Sequence, residues 1–536
     1  VFVTGVAYSD SDNDDFYSIG EGQSNIRFSI AGSSANTSAA GGYSVSTTSA
    51  TNTQVTVTHG GNTSVVEVDL SSGNVKLDLV GGSLFQTSGN LTLVSGVNDA
   101  ELLGIGNQSL SGNAQNNMLT GNSGNNTISG GNGNDIVFDR AGNDNVDLGS
   151  GNDTVLVGNG ADTLVGGAGI DNINYYYSSG GVNVDLFFNT TSGGWAADDV
   201  ISGFERVYGS NTGNDILKGT NGNNILRGYG GNDIIFDRAG NDSVDLGDGN
   251  DTVLVGNGAD TLVGGAGIDN VNYYYSTTGV NIDLFFNTTS GGWAADDVIS
   301  GFERVFGSNV GNDILKGTNG DNFIRGYGGN DIVFDRGGND IVQLGDGNDT
   351  VLVGNGADTM TGGAGIDNIN YYYSTSGVSV DLLTNALSGG WAADDVISGF
   401  ERVYGSNTGN DTLKGTDGDN FLRGYAGDDD LDGRGGKDNI DGGSGADRMT
   451  GGLGADSFVF AAGYQNDTIT DFSLGEGDRL LLDDALWGGG LSASAVVSSF
   501  AAVVGSDVVF DFGGGDVLTL EGLTSTNQLD TLISII

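Results

Sequence analysis

The chain has 536 residues, among them 99 Gly, no Pro, no Cys and a single His, and its 69 acidic against 18 basic side chains give a formal charge of −51. That much like charge opposes compaction of the bare chain and excludes nucleic acid or an anionic membrane as partner. The lack of Cys removes disulfide frameworks and thiol nucleophiles, and no apolar run approaches the roughly 18 residues that form a transmembrane segment.

The first segment, Val1 to about Val80, alternates apolar and polar residues in "VFVTGVAY", "NIRFSI", "YSVST", "QVTVTH", "SVVEVDL" and "NVKLDLV", separated by polar turns. This pattern predicts a small all-β sandwich. Its first turn, "DSDNDDFYSIGE", places Asp10, Asp12, Asp14, the Phe16 carbonyl, Ser18 and Glu21 at positions 1, 3, 5, 7, 9 and 12 of an EF-hand-like calcium loop. Asp15 stands at the sixth position, where such loops carry Gly. On this loop and the "GGYSVST" strand, the segment resembles the Cna-B-like and carboxypeptidase-regulatory-like β-sandwiches, which implies a spacer of a bacterial surface protein. No secretory signal precedes the first strand, so a processed product or a fragment is expected.

From Gly112 to Asn174 the chain repeats every nine residues, as in "LGSGNDTVL" from Leu148 to Leu156. Further blocks cover Ser210 to Asn272, Ser308 to Asn370 and Ser406 to Val459. Internal periodicity of this kind decides the fold. In each unit the sixth residue is Asp or Asn and the eighth is aliphatic. "GxGxD" supplies a turn with freedom for positive φ, and the next three residues supply a short strand with one side chain inward. Two units then make one coil of a flattened right-handed spiral, so that unit n lies on unit n+2 with strands about 4.8 Å apart. Asp153 is expected beside Asp171, and Asp162 beside Asp144. Carboxylates about 5 Å apart repel by roughly 3 kcal/mol at an effective dielectric near 20. A column of them closes only around a cation, and Ca²⁺ suits it, taking 6–8 oxygens from carboxylates and exposed carbonyls.

The expected ligands are Asp135, Asp144, Asp153, Asp162 and Asp171 in the first block, and Asp215, Asp233, Asp242, Asp251, Asp260 and Asp269 in the second. The third block contributes Asp313, Asp331, Asp340, Asp349, Asp358 and Asp367; the fourth contributes Asp411, Asp429, Asp438, Asp447 and Asp456. Asn126, Asn224, Asn322 and Asn420 occupy the sixth position of the second unit in each block, where weaker or missing sites are expected. About 15–20 Ca²⁺, or on the order of nineteen inter-turn ions carrying about +38, would bring the charge of −51 to roughly −13.

Units such as "GGAGIDNVN" from Gly264 and "GGNGNDIVF" from Gly130 resemble the nonapeptide of the repeats-in-toxin (RTX) family, Gly-Gly-x-Gly-x-Asp-x-aliphatic-x, and the resemblance runs from about Gly112 to Val459. It implies a parallel β-roll with calcium between turns. Leu, Val or Asp at the first position of several units, as in "LGDGNDTVL", departs from that pattern.

Between blocks lies a 35-residue segment that begins "YYYS" at Tyr175, Tyr273 and Tyr371 and carries "SGGWAADDVISGFERV" with Trp195, Trp293 and Trp391; its copies recur at 98-residue intervals (273 − 175 and 371 − 273). Near-identity of the copies indicates tandem duplication. The aromatic residues are expected to pack the edge where the spiral changes turn length, with carbohydrate stacking as the alternative. The acid pairs Asp198/Asp199, Asp296/Asp297 and Asp394/Asp395 could suggest glycoside hydrolysis, but triplication in register favours turn or calcium roles. Arg140, Arg238 and Arg336, in "FDRAGND" and "FDRGGND", are expected to balance exposed acids. His59 is alone, and neither a His-Glu-x-x-His nor a Gly-x-Ser-x-Gly signature occurs, so no catalytic constellation is expected.

After the last unit, "SFVFAAGYQNDTITDFSLGEGDRLLLDD" resembles the segment closing RTX β-rolls, and the terminal "LDTLISII" resembles a type I secretion signal, which implies the type I secretion machinery as an export partner. The chain is thus expected to be all-β: an elongated right-handed parallel β-roll or β-solenoid with an N-terminal β-sandwich and a C-terminal β cap. The expected division is 1–100 sandwich, 101–174 first block, 175–209 connecting segment, 210–272 second block, 273–307 connecting segment, 308–370 third block, 371–405 connecting segment, 406–459 fourth block and 460–536 cap with secretion signal. The expected function is a secreted, calcium-folded structural or adhesive element at a bacterial cell surface or in its matrix, self-associating or binding surface polysaccharide. The alternatives are the calcium-binding export half of a larger hydrolase, with its catalytic domain upstream, and a toxin fragment, for which acylated lysines and an apolar pore segment are wanting.

Overall fold

The computed structural model describes residues 1–12 and 16–536; Asp14 of the acidic loop lies outside the described residues. The chain divides into two compact units, Val1–Asp269 and Asn270–Ile536.

Each nine-residue unit of the first block forms a strand of three to six residues, and strands pair in parallel with the strand two units on. Ile136–Phe138 pairs with Thr154–Leu156 and that strand with Asn172–Asn174. On the other face Thr127–Asn132 pairs with Asn145–Ser150, and that with Thr163–Ala168. The single inward residue of each strand forms the core: Val137, Val155 and Ile173 from one face and Ile128, Val146 and Leu164 from the other, all at most 1% exposed. The apolar first-position residues Leu148 and Val157 are buried as well.

The N-terminal strands are mainly antiparallel and two-sheeted, as their alternation predicted. Phe2–Tyr8 pairs with Gly42–Ser46, while Arg27–Ile30, Asn52–His59 and Asn62–Asp69 form a second sheet. Phe28 of one sheet stacks on Tyr43 of the other, with ring centroids 3.7 Å apart. Both sheets run on into the solenoid. Leu84–Thr87 pairs in parallel with Asp99–Leu102, which pairs with Met118–Thr120; Leu91–Ser95 pairs with Ser109–Ser111, which pairs with Thr127–Asn132. The sandwich thus covers the open end that a parallel stack would otherwise present.

The connecting segment 175–209 adds two more rungs. Val200–Ser202 pairs with Thr163–Val165, and Arg206–Tyr208 with Asn172–Asn174. Its hairpin, Asn183–Asp185 with Thr190–Ser192, opens a new sheet that Ile216–Lys218 and Ile234–Phe236 extend. Arg238, expected to balance exposed acids, is instead three-quarters buried and ties this hairpin down. Its guanidinium lies 2.7 Å from Asp185 Oδ2 and over the rings of Phe187 and Phe188.

The second unit repeats this plan. Arg336 holds Asp283 through two hydrogen bonds of 2.8 and 2.6 Å and covers Phe285 and Phe286. Arg434 grips Asp381 in the same way. At the C-terminal end Ser457–Phe460, Arg479–Leu482 and Ile533–Ile535 continue one face in parallel. The other face ends in an antiparallel ribbon of Asp516–Leu520, Asp507–Gly513 and Ala501–Val504. The one α-helix among the described residues, Ala493–Phe500, precedes that ribbon and is capped by Ser492. No helix of the described residues is long and apolar enough to cross a membrane.

Close stacking also explains the glycines. Gly151 has φ +153°, and a Cβ there would stand 1.6 Å from the Gly133 carbonyl oxygen. Gly151→Ala is therefore expected to prevent closure of its coil and to cost about 4 kcal/mol or more, whereas Leu164→Ala should cost about 2–5 kcal/mol by the cavity it leaves. Urea unfolding of the calcium-saturated variants, with loss of calcium-induced β signal in the first, checks both.

Candidate metal centre

The repeat aspartates form two columns in each block, and each carboxylate uses its two oxygens differently. Asp153 Oδ1 accepts the backbone N–H of Asp135 at 2.6 Å, 18 residues earlier, and Asp171 Oδ1 accepts that of Asp153 at 2.9 Å. The second column runs the same way: Asp144 Oδ1 accepts from Asn126, and Asp162 Oδ1 from Asp144, at 2.6 and 2.7 Å. Asp233, Asp251, Asp269, Asp242 and Asp260 repeat this in the second block, accepting from the residue 18 earlier at 2.7–2.9 Å. Asp331, Asp340, Asp349, Asp358 and Asp367 do so in the third; Asp429, Asp438, Asp447 and Asp456 do so in the fourth.

The other oxygen is the telling one. Oδ2 of Asp135, Asp144, Asp153, Asp162 and Asp171 is buried and has no hydrogen-bond partner among the described residues, and the same holds for Asp331, Asp340, Asp349, Asp358, Asp367, Asp429, Asp438, Asp447 and Asp456. A buried, unpaired carboxylate oxygen is costly, and a whole series of them at one position of a repeat needs a common partner. All donors are oxygens, with no Cys and no His in the columns, which is the ligand chemistry of Ca²⁺ rather than of Zn²⁺. When bound, the cation supplies the positive charge that these oxygens lack. The protein's part is to aim the oxygens, through the Oδ1 hydrogen bonds, and to exclude water.

Where the repeat has Asn, the amide replaces the free oxygen by a donor. Asn224 Nδ2 donates to Glu205 O at 2.9 Å, Asn322 Nδ2 to Glu303 O at 2.9 Å and Asn420 Nδ2 to Glu401 O at 3.0 Å. Asn126 Nδ2 donates to Asn122 Oδ1 at 3.2 Å. These positions satisfy themselves without an ion. Asp215, Asp313 and Asp411, which open blocks two to four, also differ from their neighbours. Both oxygens of Asp215 accept, from Val182 N–H and the Ser210 hydroxyl on one side and Ser210 N–H on the other. Asp313 and Asp411 do the same with Ser308 and Ser406. Their geometry is that of a turn cap.

The columns extend beyond the residues that the nine-residue pattern marks. Asp199 Oδ1 accepts from Asp162 N–H at 2.9 Å, and Glu205 Oε2 from Asp171 N–H at 2.9 Å, so the connecting segment carries both columns onward. Asp395 and Glu401 do the same in the second unit. The first tyrosine of each "YYYS" is fully buried and caps this acid. Tyr175 Oη donates to Asp199 Oδ2 at 2.9 Å, and Tyr371 to Asp395 at 3.0 Å. Asp467 and Asp478 prolong the fourth block into the C-terminal segment, accepting from Asp447 and Asp456 at 3.0 Å. The signals were present as the second Asp of "AADD", the Glu of "FERV" and the Asp of "NDTI" and "GDRL", but they stand off the nine-residue register. A parallel outer ladder uses the fifth position: Asn134 Oδ1 accepts Asn152 N–H, and Asn152 Oδ1 accepts Ile170 N–H, at 2.8 and 2.9 Å.

In the N-terminal loop, carboxylate oxygens of Asp10, Asp12 and Glu21 come within 4.8 Å of one another. Glu21 Oε1 accepts from Ser11 N–H and Oγ, both at 2.7 Å, and Oε2 from Ser18 N–H at 2.8 Å; the bonds from Ser11, then from Ser18, hold its carboxyl below the usual range. The Phe16 ring is exposed. His59 is exposed at the end of its strand.

A family profile described as the RTX calcium-binding nonapeptide repeat (4 copies) matches residues 104–137, 138–173, 210–244, 236–271, 308–334, 335–369, 406–440 and 432–469. These segments are RTX calcium-binding nonapeptide repeats. The RTX match begins at residue 104, leaving the N-terminal sandwich outside it. No curated protein matches the chain. Among solved structures, the extracellular lipase LipA from Serratia marcescens is 19% identical over 42% of this chain and 40% of its own, with a TM-score of 0.20. The AlgE6R3 subunit of the Azotobacter vinelandii mannuronan C5-epimerase is 26% identical over 23% of this chain and 77% of its own, with a TM-score of 0.18. The chain thus spans less than half of the lipase.

Burial pushes the RTX carboxyls up when no cation is present: Asp153 and Asp162 to about 6, Asp144, Asp233 and Asp331 to about 7, and Asp340 and Asp429 to about 8. A raised folded-state value means that the folded form holds more protons than the unfolded one. Stability of the ion-free coils is then full below about pH 4 and lost as pH rises through about 6 to 8. Metal-free protein taken from pH 8 to pH 4 should therefore gain β signal in far-UV circular dichroism; a signal indifferent to pH would count against the buried placement of these acids.

Proposed function

We propose that the chain acts outside the cell as a calcium-folded structural or adhesive element of a bacterial surface or matrix. The observation that carries this is the columns of buried carboxylates aimed by one oxygen, with the other oxygen of Asp135, Asp144, Asp153, Asp162 and Asp171 and of their third- and fourth-block counterparts without a hydrogen-bond partner among the described residues. Asp199 and Asp395 are held by Tyr175 and Tyr371, which does not favour a hydrolytic reading of the acid pairs.

Dependence on calcium suits export. Where free calcium is scarce, the repelling acids keep the chain unfolded and threadable through a type I secretion channel; outside, the ion folds it. What the folded chain offers a partner is repeated once per 98 residues: Tyr177, Tyr275 and Tyr373 stand 60, 56 and 56% exposed. Such rings suit sugar faces or a second copy of the chain. Asp10, Asp12 and Glu21 are read as a further calcium loop in the N-terminal segment.

Metal-free protein titrated with CaCl₂ at pH 7.5 should gain β signal cooperatively, and Asp153→Ala should lower that cooperativity by removing one rung. An unchanged spectrum across the titration would overturn calcium folding. In calcium, the folded chain should co-sediment with bacterial exopolysaccharide or self-assemble in light scattering, and should lose both in chelator. Neither behaviour in calcium would overturn the structural or adhesive role while leaving calcium folding intact.

A further inference from the structure

One acid of each of the first three blocks has no place in the columns. Asp139, Asp237 and Asp335 occupy the first position of their units, where neighbouring coils have Gly or an inward Leu or Val. All three are fully buried. One oxygen of each accepts a backbone N–H from the next coil, donated by Gly158, Gly256 and Gly354 respectively. Oδ2 of Asp139 and of Asp335 has no hydrogen-bond partner among the described residues.

These side chains reach the second column of their own block. One carboxylate oxygen each from Asp139, Asp144 and Asp162 lie within 4.8 Å of one another, as do those of Asp237, Asp242 and Asp260 and those of Asp335, Asp340 and Asp358. The arginine that follows does not neutralise the group: Arg140 reaches out to Glu101, and Arg336 is held by Asp283. In blocks one and three a buried carboxylate oxygen with no hydrogen-bond partner among the described residues is thus brought together with two further carboxylates. In the fourth block the position is Gly433, and the third carboxylate is missing.

We propose that Asp139, Asp237 and Asp335 each add a third carboxylate to the divalent-cation rung formed by the two column aspartates beside them, so that blocks one to three each retain one ion more tightly than a rung with glycine at this position. This rests on the calcium reading of the columns and goes beyond it, because the RTX nonapeptide has glycine where these acids stand. A site of three carboxylates carries more charge than the two-carboxylate rungs above and below it, so it holds a hard divalent cation more tightly and releases it last. The pattern also places the tightest ion of a block beside its weakest rung, since Asn126, Asn224 and Asn322 lie immediately below in the same column.

The test compares the full chain with the triple variant D139N/D237N/D335N. Both are refolded in calcium and passed through an ion-free gel-filtration column. Bound calcium per chain is then counted by plasma mass spectrometry, with far-UV circular dichroism confirming the β spectrum. At least three fewer ions in the variant, with the spectrum retained, is expected. Equal counts overturn the proposal, and the three acids are then core carboxyls kept protonated. Should the triple variant fail to regain its spectrum, the single variants D139N, D237N and D335N decide: one ion lost from each supports the sites, and undiminished counts in all three overturn them. A wild-type chain that retains no ion at all fails the column reading itself, which is a separate result.

Discussion

The structure depends on how an aspartate divides its two oxygens. Oδ1 accepts a backbone N–H from the coil below, and that bond both fixes the carboxylate and joins successive coils. In Asp135, Asp144, Asp153, Asp162 and Asp171, and in their counterparts of the third and fourth blocks, Oδ2 is thereby buried with no hydrogen-bond partner among the described residues. Neither half works alone. Without the N–H the carboxylate could swing out to solvent, and without a cation the second oxygen would be a buried charge in a stack of like charges. Sequence, coil geometry and ion therefore specify one another. The stability of each rung depends on the rungs beside it, as in any solenoid whose contacts are between neighbours.

The same constraint dictates the glycines. Successive turns lie so close that at Gly151 a single methyl would overlap the carbonyl of the coil below. Glycine is needed there for its lack of volume as well as for its positive φ, and tight stacking is what brings carboxylates within reach of a shared ion. Arginine at positive φ replaces glycine at Arg140, Arg238, Arg336 and Arg434. In the last three the strained residue is repaid by the ion pair that pins the hairpin of the preceding connecting segment, an interaction partly sheltered from solvent.

Much of this was legible in the sequence because the signal is periodic. Nine residues per unit, an acid at the sixth and an aliphatic at the eighth give the strand, the inward face and the stacking of unit n on n+2, and Val137, Val155 and Ile173 lie where the pattern puts them. The pattern was blind wherever a residue works off its register. Asp199 and Glu205 do the work of a sixth-position acid from within a segment of another length, and Tyr175 looked like an edge aromatic although its hydroxyl caps Asp199. Asp139 looked like a mild departure from consensus, because a sequence position does not tell which way an extra carboxylate points. The Arg238 clamp spans 53 residues and pairs elements no local pattern links. The N-terminal strands were recognisable as two-sheeted, but their merging with the repeats depends on pairings between segments of unlike sequence.

The connecting segments show what such a stack keeps when its spacing changes. A 35-residue insertion could end a stack built on a nine-residue clock, yet 175–209 places Val200–Ser202 and Arg206–Tyr208 on the two faces in register and supplies an acid to each column. One of these acids is sealed by a tyrosine hydroxyl, so the column there is closed by a donor of the chain itself. The C-terminal segment uses the first half of the same device: Asp467 and Asp478 take N–H bonds from steps of 20 and 22 residues rather than 18. What is held constant through every change of loop length is the N–H to carboxylate bond between coils, and not the spacing that first made it visible. A solenoid of this kind can therefore accept new surface, such as the exposed aromatic hairpins, at any junction where the insertion returns an acid to each column.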